Sequence, residues 1–204
     1  MKKFVSVLLA LTMVLSLAAC GGEKTPETTV APETTVPETT VAPTDAIVDD
    51  TTEETMPEAD PSSLEGIINS IYAVNPVEFM TGSIPVDLTD TSDDGLWTLT
   101  SFTGLENADL INEAWVSEAM IGSIPYSLVL VRVADAANAE TVADAMKSGI
   151  NQRKWICVEA DDLMVAGYGD VVMLIMVSSE NGMTAQSFVD AFQTVCGAEL
   201  DFTI

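Results

Sequence analysis

The sequence has no histidine in its 204 residues. Nucleophiles of the Ser-His and Cys-His type need an imidazole base, and histidine is a common ligand of zinc. Those enzymes and every histidine-based metal site are therefore excluded. Hydrolysis by a pair of carboxylates, as in glycosidases, is the enzymatic chemistry that stays open.

Basic residues are scarce, because seven Lys and Arg stand against 32 Asp and Glu, which gives a formal net charge of −25. Residues 61–204 alone contain 21 acidic and four basic side chains, so their net charge is −17. A surface of this sign repels nucleic acid and anionic lipid headgroups. Nucleic-acid binding is therefore excluded, whereas cationic or neutral partners and metal ions stay open. Solubility alone would also explain an acidic surface.

Cysteine occurs three times, and the first copy follows an apolar run in "SLAACGG". The run has a basic start, is shorter than the roughly 20 residues of a membrane span, and ends in small residues, as secretory signals do. The letters LAAC, ending at Cys20, resemble the lipobox of bacterial lipoproteins. The resemblance implies removal of residues 1–19 and a diacylglyceryl group on Cys20, hence a lipid anchor on the extracytoplasmic face of the cell membrane. An ordinary signal peptide with a chance cysteine is the alternative.

The other two cysteines, Cys157 and Cys196, could form a disulfide outside the cytoplasm. Cys196 also lies on the apolar stripe of a predicted helix, where a free thiol packs as a small hydrophobic group. The sequence leaves both interpretations open.

Residues 20–60 contain no aromatic side chain and are rich in Thr, Pro, Glu and Val, with the unit ETTV(A)P written three times. Such a composition cannot bury enough apolar surface to offset its ordering entropy, and prolines and like charges extend the backbone. The segment is therefore predicted to be a disordered tether. Use of the repeat as a ligand motif is the alternative.

Residues 61–204 are long enough for a single globular domain. Helices are predicted for DPSSLEGIINSIYAVNP, with Ser62 and Glu65 at capping-box spacing, for SDDGLWTLTSF, for NAETVADAMKSGINQRKW and for TAQSFVDAFQTVCG. Strands are predicted for AWVSEAM, for YSLVLVRV and for the two halves of DLMVAGYGDVVMLIMVS. The stretch 77–94 shows no sustained period. The predicted fold class is α+β, a small antiparallel sheet of about four strands packed with three to four helices.

The order of these parts resembles a family of small Gram-positive lipoprotein domains of unknown function. The resemblance covers about residues 62–196 and rests on the lipobox, the Thr/Pro spacer, a strand with a basic residue near its end and a following Lys/Arg/Gln-rich helix. Here these residues are Arg132, then Gln152, Arg153 and Lys154. The helix is less basic than is typical of the family, and the cysteine after it is an addition. The resemblance implies a fold and no activity.

Asp90, Ser92 and Asp94 are the best candidate for a metal site. Their oxygens stand at the first, third and fifth places before Gly95, as at the start of a calcium loop. The twelfth place is Ser101, where such loops carry a bidentate glutamate. A helix cap at Ser92 explains the same residues.

Two further patterns have simple interpretations. The segments 80–85 and 120–125 share the pattern Met-x-Gly-Ser-Ile-Pro, but their flanks differ. The echo therefore indicates a turn before proline that is used twice. The methionines of the domain lie mostly in apolar runs and are predicted to fill the core.

Three classes of function agree with these observations. The first is a membrane-tethered binding or accessory domain for an envelope protein, a peptide or a wall component. It predicts an exposed apolar or aromatic patch, with candidates Trp97, Trp115, Tyr126 and Tyr168. The second is a small-solute or calcium binder with an acidic pocket near 87–95, and the third is a carboxylate hydrolase. We favour the first, without a cofactor or an enzymatic activity, because a tether plus a domain without a catalytic motif is typical of an interaction module.

Overall fold

The computed structural model describes Asp60 and residues 62–204. The signal segment, Cys20 and the rest of the predicted tether lie outside the described residues. Four α-helices and six strands follow in the order α1 (Leu64–Val74), β1 (Thr81–Pro85), α2 (Asp93–Thr103), β2 (Ile111–Ala119), β3 (Ser127–Val133), α3 (Ala139–Gly149), β4 (Asp162–Tyr168), β5 (Val171–Val177), α4 (Ala185–Cys196) and β6 (Phe202–Thr203). Short 3-10 helices precede α3 and α4.

The six strands form one antiparallel sheet in the order β1-β2-β3-β5-β4-β6. The α+β class is therefore confirmed, but the prediction of about four strands is wrong. The two missed strands are the edges. β1 lies in the stretch without a period, where only its pairing with β2 makes it a strand, and β6 has two residues, too few to show a pattern.

Helices cover both faces of the sheet and create two apolar cores. On one face α2 and α3 contribute Leu99, Val142 and Met146. On the other face α1 and α4 contribute Ile68 and Phe188. The inner strands β3 and β5 are buried on both faces, so β5 reads as the unbroken apolar run VVMLIMV.

The helix ends show how the sequence sets the elements. Ser63, and not the predicted Ser62, caps α1 by accepting a hydrogen bond from the Gly66 amide at 3.0 Å. The capping-box prediction is wrong by one residue because the Asp60 carboxylate binds the amide and hydroxyl of Ser62. The predicted α2 and α4 are confirmed, and Gly197 caps the end of α4 in the left-handed conformation. Helix α3 ends at Gly149, before the predicted Gln152-Arg153-Lys154 segment.

The two ends of the sheet differ in what they carry. One, the loop end, has the four segments 75–80, 120–126, 150–161 and 178–184. The other, the hairpin end, has the tight turn Gly169-Asp170 between β4 and β5. The chain enters the domain at the hairpin end, because Arg132 donates to the carbonyl of Ser62 at 2.8 Å and to both carboxylate oxygens of Asp170 at 3.0 Å.

Proline is tolerated in β1 because it stands on the free edge. Met120 donates to the carbonyl of Met80, and Val86 donates to the carbonyl of Ala114, so even-numbered residues of β1 bond to β2. The odd-numbered residues, including Pro85, direct their backbone groups outward. Pro85 therefore removes an amide from the free edge without costing the sheet a hydrogen bond.

We expect Pro85→Thr to change the free energy of unfolding by no more than about 0.5 kcal/mol and to increase self-association, because it adds an outward amide to the edge. Sedimentation velocity over a range of protein concentrations measures the association. The matched control is Pro76→Thr in an exposed loop. Equal association of both variants would show that the edge is protected by something other than Pro85.

Candidate functional site

The candidate metal residues serve the start of α2. The Asp90 carboxylate accepts the Ser92 amide at 3.0 Å, and the Ser92 hydroxyl accepts the Gly95 amide at 3.2 Å. Hydrogen bonds from Ser92 hold the pKa of Asp90 below its ordinary value. Asp94 lies in the first turn of the helix. The helix-cap interpretation is confirmed, and within the described part of the chain no three acidic or cysteine side chains converge on a shared metal position.

The acidic side chains that a carboxylate hydrolase could use are dispersed over separate structural contacts. Glu113 pairs with Arg132 at 3.4 Å, Glu118 with Lys154 at 2.5 Å and Glu159 with Arg153 at 2.8 Å. Asp161 binds the amide and hydroxyl of Ser179, and Asp162 binds the Ala185 amide at the start of α4. The bonds from Ser179 lower the pKa of Asp161, whereas a general acid needs a raised one. Glu106 and Asp109 are exposed on the α2–β2 loop.

The structure does not bring the two late cysteines together, and both are free thiols. Cys157 lines a cleft with Ser178 at the loop end, with its backbone in the left-handed region at φ 66°. Burial and the charge of Asp201 raise the pKa of Cys196 to about 11. Asp201 binds the Gly169 amide, which places Cys196 at the hairpin end. The seven residues of β5 span roughly 20 Å between these ends, and a disulfide needs Cα atoms about 4.4–6.8 Å apart.

The four aromatic residues expected in a binding patch do not assemble. Tyr126 is fully buried and donates to the Tyr72 hydroxyl, and Trp115 is half-buried and donates to Glu113. Trp97 is exposed on α2, whereas Tyr168 lies at the hairpin end on the opposite face of the sheet. The prediction of an aromatic patch is therefore wrong for this set.

Exposed aliphatic side chains cluster instead at the β1 edge, and we call Met80, Ile84, Met120 and Ile121 the β1 surface. Their exposed fractions are 71%, 51%, 66% and 52%. Met80 and Met120 are hydrogen-bonded neighbours across the two strands, and the Met120 Cγ lies 3.7 Å from the position that a Cβ on Gly82 would take. On this face α2 packs against β2 and β3, and the high exposure of Ile84 shows that β1 is left open.

The sequence contains one pattern that marks this surface, and its interpretation as a turn used twice is wrong for the first copy only. The two copies of the Met-x-Gly-Ser-Ile-Pro echo supply all four residues. Residues 81–85 of the first copy form strand β1 and not the predicted turn, whereas the second copy, residues 120–125, follows the end of β2 and forms the predicted turn. The prediction that the methionines fill the core is wrong for Met80 and Met120, although Met146, Met173 and Met176 are fully buried.

A partly buried ion pair borders the β1 surface. The Lys154 ammonium contacts Glu118 at 2.5 Å and donates to the Ser101 carbonyl at 3.2 Å. Its side chain is 12% exposed and lies over the rings of Phe102 and Trp155. Burial lowers the pKa of Lys154, and the neighbouring Glu118 charge opposes that shift.

Lys154 also contacts a serine hydroxyl, as in a serine–lysine nucleophile pair. The Nζ–Oγ distance to Ser127 is 3.2 Å. Ser127 is fully buried, so a substrate cannot reach its hydroxyl in this conformation. The contact satisfies the polar groups at the start of β3 and anchors the loop that contains Lys154.

Three clefts of the described domain lie away from residues 87–95, where the sequence predicted an acidic pocket. Two of them, of about 480 and 580 Å³, lie at the loop end and share Asn181. The third, of about 440 Å³, is an apolar groove between α3 and the loop 104–111. The loop end therefore combines concave surface with the adjacent β1 surface.

Comparison with protein-family models, with curated proteins and with solved structures finds no match to this chain. Among the described residues, no helix combines the length and apolar character that crossing a bilayer requires. The protein is therefore defined by its architecture, a six-stranded antiparallel sheet between two helical layers, with an apolar surface at one edge.

Proposed function

We propose that the protein is a membrane-anchored extracytoplasmic lipoprotein whose domain is a binding or accessory module for another component of the cell envelope. The observation that carries this proposal is the β1 surface. Four exposed aliphatic residues concentrated at one sheet edge are typical of an interaction site. Other large apolar side chains, among them Trp97 and Ile156, are exposed as well. The lipobox at Cys20 and the resemblance to Gram-positive lipoprotein domains supply the location.

The direction of the chain supports this arrangement. The segment that follows the predicted tether joins the domain at Ser62, at the hairpin end. Met80 and Met120 stand at the loop end, where β1 begins and β2 ends. The loop end therefore lies at the opposite end of the sheet from Ser62.

The proposal includes no enzymatic step and no cofactor. Five carboxylates that could serve a hydrolase, those of Glu113, Glu118, Glu159, Asp161 and Asp162, are engaged in ion pairs or in caps of turns and helices, whereas Glu106 and Asp109 are exposed. For the calcium alternative, Asp90 and Ser92 form hydrogen bonds within the α2 cap.

We expect the intact protein to incorporate an alkyne-labelled fatty acid in a Gram-positive host, and Cys20→Ser to abolish the label, because the acyl chains are attached through that thiol. The matched control is Cys157→Ser, which removes an exposed thiol and should keep the label. A label that survives Cys20→Ser, or that is lost from Cys157→Ser, would contradict lipidation at Cys20.

The side of the membrane is tested separately by adding protease to intact cells. The domain should be digested while a cytoplasmic marker remains whole. Protection of the domain until the cells are lysed would contradict the extracytoplasmic location, whatever the labelling shows.

A further inference from the structure

We propose that the β1 surface binds a segment of a partner protein that combines aliphatic side chains with Lys or Arg. The inference rests on the proposed function, because it names the site and the ligand chemistry of that binding module. The inference rests on the observation that Met80, Ile84 and Met120 lie together on a part of the sheet that no helix covers, in a strongly acidic domain.

The apolar part of the site is held in place before any partner arrives. Ser83 of β1 donates to the Ser117 hydroxyl of β2 at 2.9 Å, and Tyr72 of α1 donates to the same hydroxyl at 2.7 Å. Tyr126 continues this chain by donating to Tyr72 at 3.0 Å. These bonds lie on the face opposite to Ile84 and fix β1 to the helix layer beneath it. The strand beneath the surface is therefore already ordered, so its backbone loses little conformational entropy on binding.

Flexible side chains provide the contact itself. Met80 and Met120 have unbranched side chains and lie next to each other. Gly82 has no side chain, which leaves room for the side chain of Met120. Methionine adapts to irregular apolar partners, as on other surfaces that bind peptides. Burying two or three such side chains contributes a few kcal/mol, about 25 cal/mol for each Å² removed from water.

Charge decides what sort of segment can dock. Glu78 and Asp87 flank β1 and are exposed. Of the four basic residues in residues 62–204, Arg132, Arg153 and Lys154 already form ion pairs. The approach to the surface is therefore anionic, which attracts Lys and Arg and repels acidic groups.

The same charge argues against three other occupants. A second copy of the domain has the same net negative charge, and an anionic lipid surface is repelled in the same way. The predicted tether, residues 20–60, contains 11 acidic residues and one lysine, so it too is repelled. Addition of a strand to the free edge is hindered by Pro85, which offers no amide. We therefore infer that the partner segment contacts the side chains on the exposed face of β1 and does not pair with the backbone of its free edge.

The test uses the full chain in nanodiscs of phosphatidylcholine and a short fluorescent peptide with Leu and Lys separated by Gly and Ser. Two companion peptides replace Lys by Glu or Leu by Ser. Fluorescence polarisation, with empty nanodiscs as the blank, should show that the Leu/Lys peptide binds at least about tenfold more tightly than either companion. Its affinity should fall as salt is raised.

The double variant Ile84→Ser, Met120→Ser should weaken binding of the Leu/Lys peptide about tenfold, because it removes two apolar contacts. The matched control is Leu110→Ser, a residue with 39% exposure that lines the groove by α3. Thermal unfolding establishes that each variant is folded. Met120→Lys is a second probe, since it repels the peptide without shortening the side chain.

Several outcomes would overturn the inference. The first is equal affinity for the Leu/Lys and Ser/Lys peptides, and the second is unchanged peptide affinity of the β1-surface variants. The third is a dimer of the domain, or its binding to phosphatidylglycerol vesicles, where the double variant loses that association. The fourth is that the Leu/Lys peptide does not bind at all. If Cys20 is labelled and the domain is accessible to protease while peptide binding fails, the proposed location stands and this inference fails alone. If labelling and protease accessibility fail while the peptide binds at the β1 surface, the inference about the β1 surface stands and the proposed location fails.

Discussion

Glu118→Ala is expected to lower the free energy of unfolding by about 3 kcal/mol, because it leaves the ammonium of Lys154 without its counter-ion in a mostly buried position. Lys154 and Glu118 are 12% and 27% exposed, so solvent screens their attraction only partly. Urea unfolding followed by tryptophan fluorescence measures the loss. The contacts with Phe102 and Trp155 persist in the variant and keep the charge among apolar groups.

The pH dependence of this variant provides a second readout. Burial lowers the pKa of Lys154 below its ordinary value of 10.5, and Glu118 opposes the shift, so removal of Glu118 lowers the pKa further. Between the folded and the unfolded pKa the unfolded chain binds more protons, so stability contributed by this group rises with pH. The Glu118→Ala variant should therefore regain stability as the pH rises toward 10.5, and by more than the wild type does.

Two controls separate a buried pair from a surface pair. Glu118→Leu combined with Lys154→Met should cost less than Glu118→Ala alone, since no unpaired charge remains. Glu159→Ala breaks the well-exposed pair with Arg153 and should have little effect. If Glu118→Ala resembles Glu159→Ala, the Lys154 ammonium reaches water in solution.

Gly149→Ala is the second substitution with a large expected effect, again about 3 kcal/mol, because the new Cβ would overlap main-chain atoms that cannot rotate away. Its position lies 2.0 Å from the carbonyl oxygen of Gly104. Gly104 is itself held at φ 79° beside Met146 and Ile150, so the α2 end and the α3 end meet backbone to backbone. Thermal and urea unfolding measure the change.

The matched control is Gly122→Ala, where a new Cβ meets nothing within 4 Å. That variant should be as stable as the wild type or slightly more so, because alanine restricts the unfolded chain. A Gly149→Ala protein as stable as Gly122→Ala would mean that the helix ends separate readily and that the contact contributes little.

Helices and strands could be predicted where the pattern that defines them lies within a few neighbouring residues. Helix α4 shows apolar residues at helical spacing and a glycine cap, and the β4–β5 hairpin has a glycine at φ 60° in a two-residue turn. Strand β1 could not be predicted, because its five residues include glycine and proline and gain their conformation from β2. The cap of α1 moved from Ser62 to Ser63 because Asp60 competes for the first serine.

The residues of the candidate site also divide into those that local sequence predicts and those that depend on distant contacts. Ser92 as a cap depends on residues within one turn, so the pattern sufficed. Burial of Tyr126 depends on α1, since its hydroxyl meets Tyr72, 54 positions away in the chain. The exposure of Ile84 and Met120 depends on which strands α2 covers, and no spacing within β1 or β2 records that.

The sequence by itself determined the acidic charge, the absence of histidine chemistry, and the α+β class, because composition and periodicity act without knowledge of distant contacts. It also contains the letters LAAC ending at Cys20, which predict lipidation of that residue. Only the tertiary structure decided which apolar residues stay outside the core, which acids pair with which bases, and how far apart Cys157 and Cys196 lie. The physical reason is that burial and pairing arise between residues far apart in the chain, whereas a local pattern states only which side chains share a face.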